Sequence, residues 1–235
     1  MNLIQHFVGG ELFSGSSDKK GKVLNISKAD LGKALTAKVA INGKMVDNPY
    51  KKWSEINPSL PNVEIRVYGP PTTSGTRASY AEMVNEKGYC KKDDEAKAAL
   101  KAAGMKAKKC RAMRTDGAFI EAGEQDNLIV QKLEANPSAL GVFGYSFLEQ
   151  NSDLVQGSLV NGVEPEFEEI ASGNYPIARS LYFYVKKEHI GVIPGIPEFM
   201  SEFTKEDTWS TIPLTRIVYL TNLEFFKKLR SPGLE

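Results

Sequence analysis

Segments with strand-like and helix-like patterns alternate along most of this 235-residue chain. Residues 62–69 (NVEIRVYG) alternate apolar and polar side chains as a strand does, and residues 77–88 (RASYAEMVNEKG) have the spacing of a helix that ends at Gly88. This alternation is typical of an α/β fold, in which helices cover a largely buried sheet. The sequence therefore predicts an α/β protein.

The composition indicates a globular chain with a balanced charge. Hydrophobic residues make up 41% and charged residues 25%, which is enough to bury a core of one or two domains. A net charge of +1 argues against nucleic acid or an anionic membrane as the main partner. No apolar run reaches the ~18 residues that a bilayer requires, so we expect no membrane span. The first residues also lack the pattern of a signal peptide.

Several elements can be placed from local signals. Ser27 precedes an amphipathic run and is expected to cap a helix. Residues 118–123 (AFIEAG) predict a short strand, and residues 124–137 predict a helix with Leu128, Ile129 and Leu133 on one face. Trp53 lies in a proline-rich loop and is expected to be packed.

The chain has two cysteines, Cys90 and Cys110, on either side of a lysine-rich helical stretch. This arrangement suits one disulfide, and closing a loop of about 20 residues stabilises the fold by about 3 kcal/mol in the chain-entropy model. Two free thiols are the alternative. With only two histidines, His6 and His189, well separated, we expect no metal site and no cofactor.

Residues 69–84 (GPPTTSGTRASYAEMV) have the pattern most typical of a binding site. A strand ends at two prolines, and a helix begins after a short hydroxylated loop, so the free N–H groups and the helix dipole favour an anion there. Gly75 allows close approach, Ser74 and Thr76 carry hydroxyls, and Arg77 has a planar guanidinium that suits a tetrahedral oxyanion. The alternative is that Ser74 or Thr76 only caps the helix and Arg77 points to solvent.

Other chemistry is weakly supported. A nucleotide-binding P-loop requires a Gly-Lys-Ser/Thr ending, which is absent, and neither histidine has a motif that would activate a serine. Glu121 and Asp126 are interpreted as helix-capping residues. Arg114 and Asp116 either approach the cleft or form a pair that orients a turn, and we assign neither of them a ligand contact. We therefore do not expect an enzyme.

Three long segments resemble the phosphate-binding protein of the bacterial ABC-type phosphate uptake system. They are residues 48–77, 114–151 and 161–199, within a similarity that covers about residues 20–205. The resemblance implies an exported, periplasmic, two-lobed binding protein of the type II class that delivers phosphate to an ABC permease. It implies that Ser74, Gly75, Thr76 and Arg77 contact phosphate, and that Cys90 and Cys110 are paired.

The resemblance also implies an incomplete site. Members of the family have about ninety further residues before the region where this chain begins, so we expect one complete lobe over residues 10–180. Residues 1–9 and 185–235 are then the remnant of an incomplete lobe. Loss of the opposing half of the shell predicts weak or absent phosphate binding, since each charged hydrogen bond contributes roughly 1.5–3 kcal/mol. Uncovered apolar residues predict a homo-oligomer; they are Ile193, Ile196, Phe199 and Phe203.

Three function classes follow. The first is a phosphate-binding subunit of an importer, and the second is a degenerate relative that no longer transports phosphate and acts through protein interaction. The third, an enzyme that acts on phosphate esters, lacks a visible base, nucleophile or metal cluster.

Overall fold

The main sheet is mixed and contains both parallel and antiparallel strand pairs. The computed structural model describes residues 2–9, 23–180 and 184–203, and for residues 2–9 and Ser180 it describes the backbone only. The strands are β1 (Asn2–Gly9), β2 (Asn25–Ile26), β3 (Lys38–Ile41), β4 (Lys44–Asp47), β5 (Val67–Gly69), β6 (Phe119–Glu121), β7 (Leu140–Gly144), β8 (Gln156–Gly157), β9 (Leu159–Val160) and β10 (Ala178–Ser180). The order in the main sheet is β10-β1-β7-β5-β6, and β8 also pairs with β1.

Helices alternate with these strands, as predicted for an α/β protein. They are α1 (Lys28–Leu35), α2 (Trp53–Ile56), α3 (Gly75–Tyr80), α4 (Asp94–Ala102), α5 (Asp126–Ala135), α6 (Tyr145–Gln150), α7 (Phe167–Ala171) and α8 (Ile196–Phe203). A π-helical segment, Ala81–Cys90, continues α3, and 3₁₀ turns occupy Ala107–Arg111 and Lys187–His189. The helix predicted to end at Gly88 thus runs two residues further, to Cys90.

The two faces of the sheet bury different side chains. Val67 and Val142 lie in a cluster with Leu31 of α1, whereas the next residues along the same strands, Tyr68 and Phe143, pack in a second cluster. This alternation is the period of two expected of a strand covered on both faces. The sheet is therefore a middle layer, with α1 and the π-helical segment against one face and α5 against the other.

Local signals predicted several of these elements correctly. The Ser27 hydroxyl accepts a hydrogen bond from the Asp30 N–H at 2.9 Å and caps α1. Trp53 is 1% exposed. In α5, Ile129 and Leu133 share a buried face, but Leu128 is 40% exposed, so the prediction that all three share one face is wrong for Leu128. The strand predicted over residues 62–69 is only three residues long, because only Val67–Gly69 finds partners in the sheet.

The predicted disulfide is present and joins Cys90 to Cys110, with a Cα–Cα distance of 6.5 Å. Both cysteines are buried in a third cluster that includes residues of β3 and α4. Beside the disulfide, Arg111 forms ion pairs with Glu82 and Glu86 of the π-helical segment. The disulfide and the ion pairs hold the lysine-rich segment between the two cysteines against the rest of the fold.

The chain divides into two compact units, Ile4–Ala178 and a smaller one that combines Met1–Leu3 with Arg179–Glu235. The division expected from the sequence, with a complete lobe over 10–180, stays a prediction. In the smaller unit Phe199 stacks on Phe203 with ring centroids 5.8 Å apart, and Ile193 and Phe199 are exposed. Residues 204–235 of the expected remnant lie outside the described residues, and the homo-oligomer also stays a prediction.

Arg114 is a buried cation that orders a turn. Its guanidinium donates to both carboxylate oxygens of Asp116, at 2.7 and 2.5 Å, and to the carbonyls of Ala34 and Tyr50, at 3.1 and 2.8 Å. These bonds confirm that Arg114 and Asp116 form a structural pair. The Arg114 guanidinium holds the pKa of Asp116 well below its usual range.

This pair predicts a pH-dependent contribution to stability. Because the folded-state pKa of Asp116 is depressed, its stabilising effect is present above the ordinary aspartate pKa of about 3.9 and is lost as the pH falls below it. Asp116→Asn should therefore lower the free energy of unfolding most at neutral pH, and the difference from wild type should shrink below about pH 4. Urea titrations at several pH values measure this difference. Asp47→Asn is the control, since Asp47 forms an exposed pair with Lys38 and should change stability little at any pH. A pH-independent loss for Asp116→Asn would contradict the assignment.

Candidate functional site

Three helices begin at one edge of the main sheet. Strand β5 pairs in parallel with β6 on one side and with β7 on the other, so the carboxyl ends of all three strands lie at the same edge. Each strand leads into a helix: β5 into α3, β6 into α5 and β7 into α6. The carboxyl edge of parallel strands is where open α/β sheets bind ligands, and helix amino termini there favour anions.

The loop that follows β5 begins α3 as the sequence predicts. Ser74 caps the helix: its hydroxyl oxygen accepts from the Thr76 N–H at 3.1 Å, and its carbonyl accepts from Ala78. This bond confirms the capping interpretation of Ser74. Capping uses an acceptor position of the hydroxyl and leaves its proton available to a ligand.

Gly75 faces open space. The residue is exposed, and a Cβ built on it would meet no heavy atom within 4 Å. As the first residue of α3, Gly75 has an amide group without a partner inside the helix. The backbone at this point is therefore accessible to an anion, and an alanine would fit there without a clash.

The Arg77 side chain does not point into solvent, and its guanidinium already has partners within the fold. Its side chain is 12% exposed, the guanidinium lies over the Phe119 ring at 4.8 Å from the centroid, and Nη1 donates to Glu121 Oε1 at 2.5 Å. The same nitrogen lies 3.5 Å from the Pro70 carbonyl. The alternative in which Arg77 points to solvent is thus wrong, and the guanidinium already has an anionic partner.

Acidic side chains that follow β6 form hydrogen bonds with residues that follow β5 and with the end of β7. The Thr73 hydroxyl donates to the Glu124 carboxylate, and Asp126 Oδ2 accepts from the Gly144 N–H at 3.1 Å. Burial raises the pKa of Asp126. The interpretation of Glu121 and Asp126 as helix caps is wrong: Glu121 ends β6 and pairs with Arg77, and Asp126 reaches the end of β7. The cap position of α5 is Gln125, whose side chain makes no capping bond.

The structure brings together two groups that the sequence did not connect. As predicted, α3 and its cap place four residues at consecutive positions: Ser74, Gly75, Thr76 and Arg77. Their acidic neighbours are distant in sequence, since Glu121 ends β6 and Glu124 lies in the loop that follows it. The Arg77–Glu121 pair spans 44 residues of sequence. The sequence signal that could have revealed this pair is the position of Glu121 at the end of a predicted strand. The carboxyl end of that strand lies at the same edge of the sheet as the loop that precedes α3.

Two features are absent from residues 2–9, 23–180 and 184–203. No group of three or more histidine, cysteine, aspartate or glutamate side chains there could hold a metal ion. No described helix combines the length and apolar character needed to cross a bilayer.

A family model described as a PBP superfamily domain matches residues 5–207. The phosphate-binding protein PstS of Staphylococcus saprophyticus is 29% identical over 162 residues, which are 67% of this chain and 42% of that protein. PstS of Bacillus subtilis is 27% identical over 213 residues, covering 89% of this chain and 55% of that protein. The chain thus spans about half the length of the curated relatives it matches.

Solved structures share the fold. A possible phosphate binding protein from Planctomyces limnophilus matches with a TM-score of 0.59 and 24% identity, over 88% of this chain and 60% of that one. PstS from Borrelia burgdorferi matches with a TM-score of 0.55 and 17% identity, over 89% of this chain and 66% of that one. At these levels of sequence identity, the structural matches show that the fold is shared and indicate nothing about function.

Proposed function

The chain belongs to the PBP superfamily, and on that premise we propose that it is the phosphate-binding component of an ABC-type phosphate importer. The observation that carries the proposal is the exposed amino terminus of α3, where Gly75 has open space on its Cβ side and an amide without a partner inside the helix, between two hydroxyl-bearing residues. The curated relatives named as phosphate-binding proteins supply the choice of phosphate among oxyanions. The proposed ligand contacts are Ser74, Gly75, Thr76 and Arg77.

The proposed partner is the permease of the importer, and the proposed location is the periplasm. Both proposals rest on the resemblance to the bacterial phosphate uptake system, and the relatives' names support phosphate as the solute. PBP superfamily domains bind solutes, and we assign no catalytic role to this site.

The donors at this site suit a tetrahedral oxyanion. Backbone N–H groups and hydroxyls at a helix amino terminus donate to several oxygens at once, and the helix dipole adds a favourable field. Because the whole chain has a net charge of only +1, this attraction must be local to the loop. A phosphate at Gly75 accepts from the Gly75 amide, which has no partner inside the helix.

We further propose that phosphate binds weakly, because it competes with an internal carboxylate. Glu121 already accepts from Arg77, and Glu124, whose carboxylate is bound by Thr73, adds a second negative charge beside the loop. Glu121 is bound through Nη1, so a phosphate either takes other N–H groups of the same guanidinium beside this carboxylate or displaces it, and both exchanges cost electrostatic free energy. Each 1.4 kcal/mol that this exchange costs reduces affinity tenfold.

Gly75→Ala separates binding from folding. A methyl group there meets no neighbour, and alanine is favoured over glycine in a helix by up to about 1 kcal/mol, so the melting temperature should be unchanged or slightly raised. A phosphate that approaches the Gly75 backbone closely would meet the same methyl group. Phosphate affinity should therefore fall at least tenfold in calorimetric titration.

Ser74→Ala is the matched comparison. Removing the cap costs about 1 kcal/mol of stability and also removes a ligand donor, so both quantities should fall. Unchanged phosphate affinity in Gly75→Ala would place the ligand elsewhere.

Glu121→Gln tests the competition. Removing the negative charge frees Arg77, and a gain of about 1 kcal/mol corresponds to roughly fivefold tighter phosphate binding. Glu64→Gln is the control, because Glu64 pairs with Arg66 in an exposed ion pair at 3.2 Å and should leave affinity unchanged. Weaker phosphate binding by Glu121→Gln would show instead that Glu121 positions Arg77 for the ligand.

The Arg77–Glu121 pair also supports a second candidate, a degenerate relative that acts through protein interaction. An arginine already neutralised by an internal carboxylate is stable without a ligand. If neither wild type nor Glu121→Gln binds millimolar phosphate, this second function is favoured over transport.

A further inference from the structure

Charge is distributed unevenly along this nearly neutral chain. Residues 96–115 contain seven lysine or arginine residues and no aspartate or glutamate. Since the whole chain carries +1, the remainder carries −6 (+1 minus +7). A segment of this kind creates a local positive field that the overall composition conceals.

Four of these basic residues form an exposed basic patch: Lys101, Lys106, Lys108 and Lys109. The other three serve the fold, since Lys97 pairs with Asp94, Arg111 with Glu82 and Glu86, and Arg114 with Asp116. In contrast, the four lysines of the basic patch form no ion pair with any residue that the structure describes. Their charges are therefore available to an external anion.

An apolar cavity of about 180 Å³ opens beside the basic patch. Met45 and Met105 contribute to its walls together with Cys110, and Lys38 and Lys109 also line it. The disulfide to Cys90 fixes Cys110 in place. An apolar cavity of about 150 Å³ holds one benzene molecule, so this volume accommodates one large apolar side chain.

We propose that the basic patch and this cavity together dock an acidic segment of a partner protein that carries one large apolar side chain. The carboxylates of the segment pair with the lysines, and the apolar side chain enters the cavity between Met45 and Met105. The methionines suit this role because their flexible thioether side chains adapt to the shape of an inserted group.

The composition of the surface favours this partner over two others. Single-stranded nucleic acid is bound through aromatic side chains that stack on bases, and residues 96–115 contain no aromatic residue. A lipid chain needs a far longer groove than a cavity sized for one side chain. The acidic segment uses both features, the lysines and the cavity.

The experiment measures fluorescence anisotropy of a labelled peptide in which three glutamates flank each side of one phenylalanine. Wild type should bind it in 20 mM salt and more weakly in 150 mM salt. Replacing Lys106, Lys108 and Lys109 with glutamine should weaken binding at least tenfold. The matched control replaces three exposed lysines elsewhere, Lys52, Lys132 and Lys187, and should stay within twofold of wild type.

The cavity is tested separately from the charge. A peptide with glycine in place of phenylalanine should bind at least tenfold more weakly. Ala112→Phe, which fills the cavity from an exposed position, should abolish the advantage of the phenylalanine peptide. Thermal unfolding checks that each variant is folded.

Three results would overturn the proposal. One is equal loss of binding in the two triple-lysine variants, and another is equal affinity for the phenylalanine and glycine peptides. The third is lysine-dependent binding of single-stranded DNA or of phosphatidylglycerol vesicles by a protein that does not bind the peptide.

Discussion

The parallel pairing of β5 with both β6 and β7 is the constraint on which the candidate site depends. It places the carboxyl ends of three strands at one edge and aims three helix amino termini toward the same region. Burial enforces this arrangement, because Val67 and Tyr68 face opposite apolar clusters and a shift of register by one residue would exchange them. This pairing therefore determines where the loop before α3, with Gly75, lies.

Charges at that edge are balanced within the fold. Arg77 is packed on Phe119 and bound by Glu121, so the strongest cation near the loop is partly neutralised before any ligand arrives. The backbone N–H groups at the start of α3 supply the attraction for a further anion that no internal carboxylate already balances. On this account the α3 backbone contributes the attraction, and the surrounding carboxylates limit how strongly a further anion is held.

The sequence predicted what is decided locally. Helix caps at Ser27 and Ser74, the strand within residues 118–123 and the burial of Trp53 depend on a few neighbouring residues. The sequence could not reveal what is decided by distant contacts. Glu121 was misassigned as a cap because its partner is 44 residues away. Leu128 was placed on one face with Ile129 and Leu133, but the sheet beneath α5 covers those two residues and leaves Leu128 40% exposed. The helical segment runs past Gly88 to Tyr89 and Cys90, which are buried in the third cluster beside the disulfide, and a helical pattern that ends at glycine does not show these distant contacts.

Amide chemical shifts during a phosphate titration test the central claim most directly. In two-dimensional ¹H–¹⁵N spectra, the account predicts that the Gly75 amide proton moves downfield and saturates as phosphate is added, because it donates to the bound anion. It would be contradicted if the Gly75 resonance stayed in place while amides in another part of the molecule responded to phosphate.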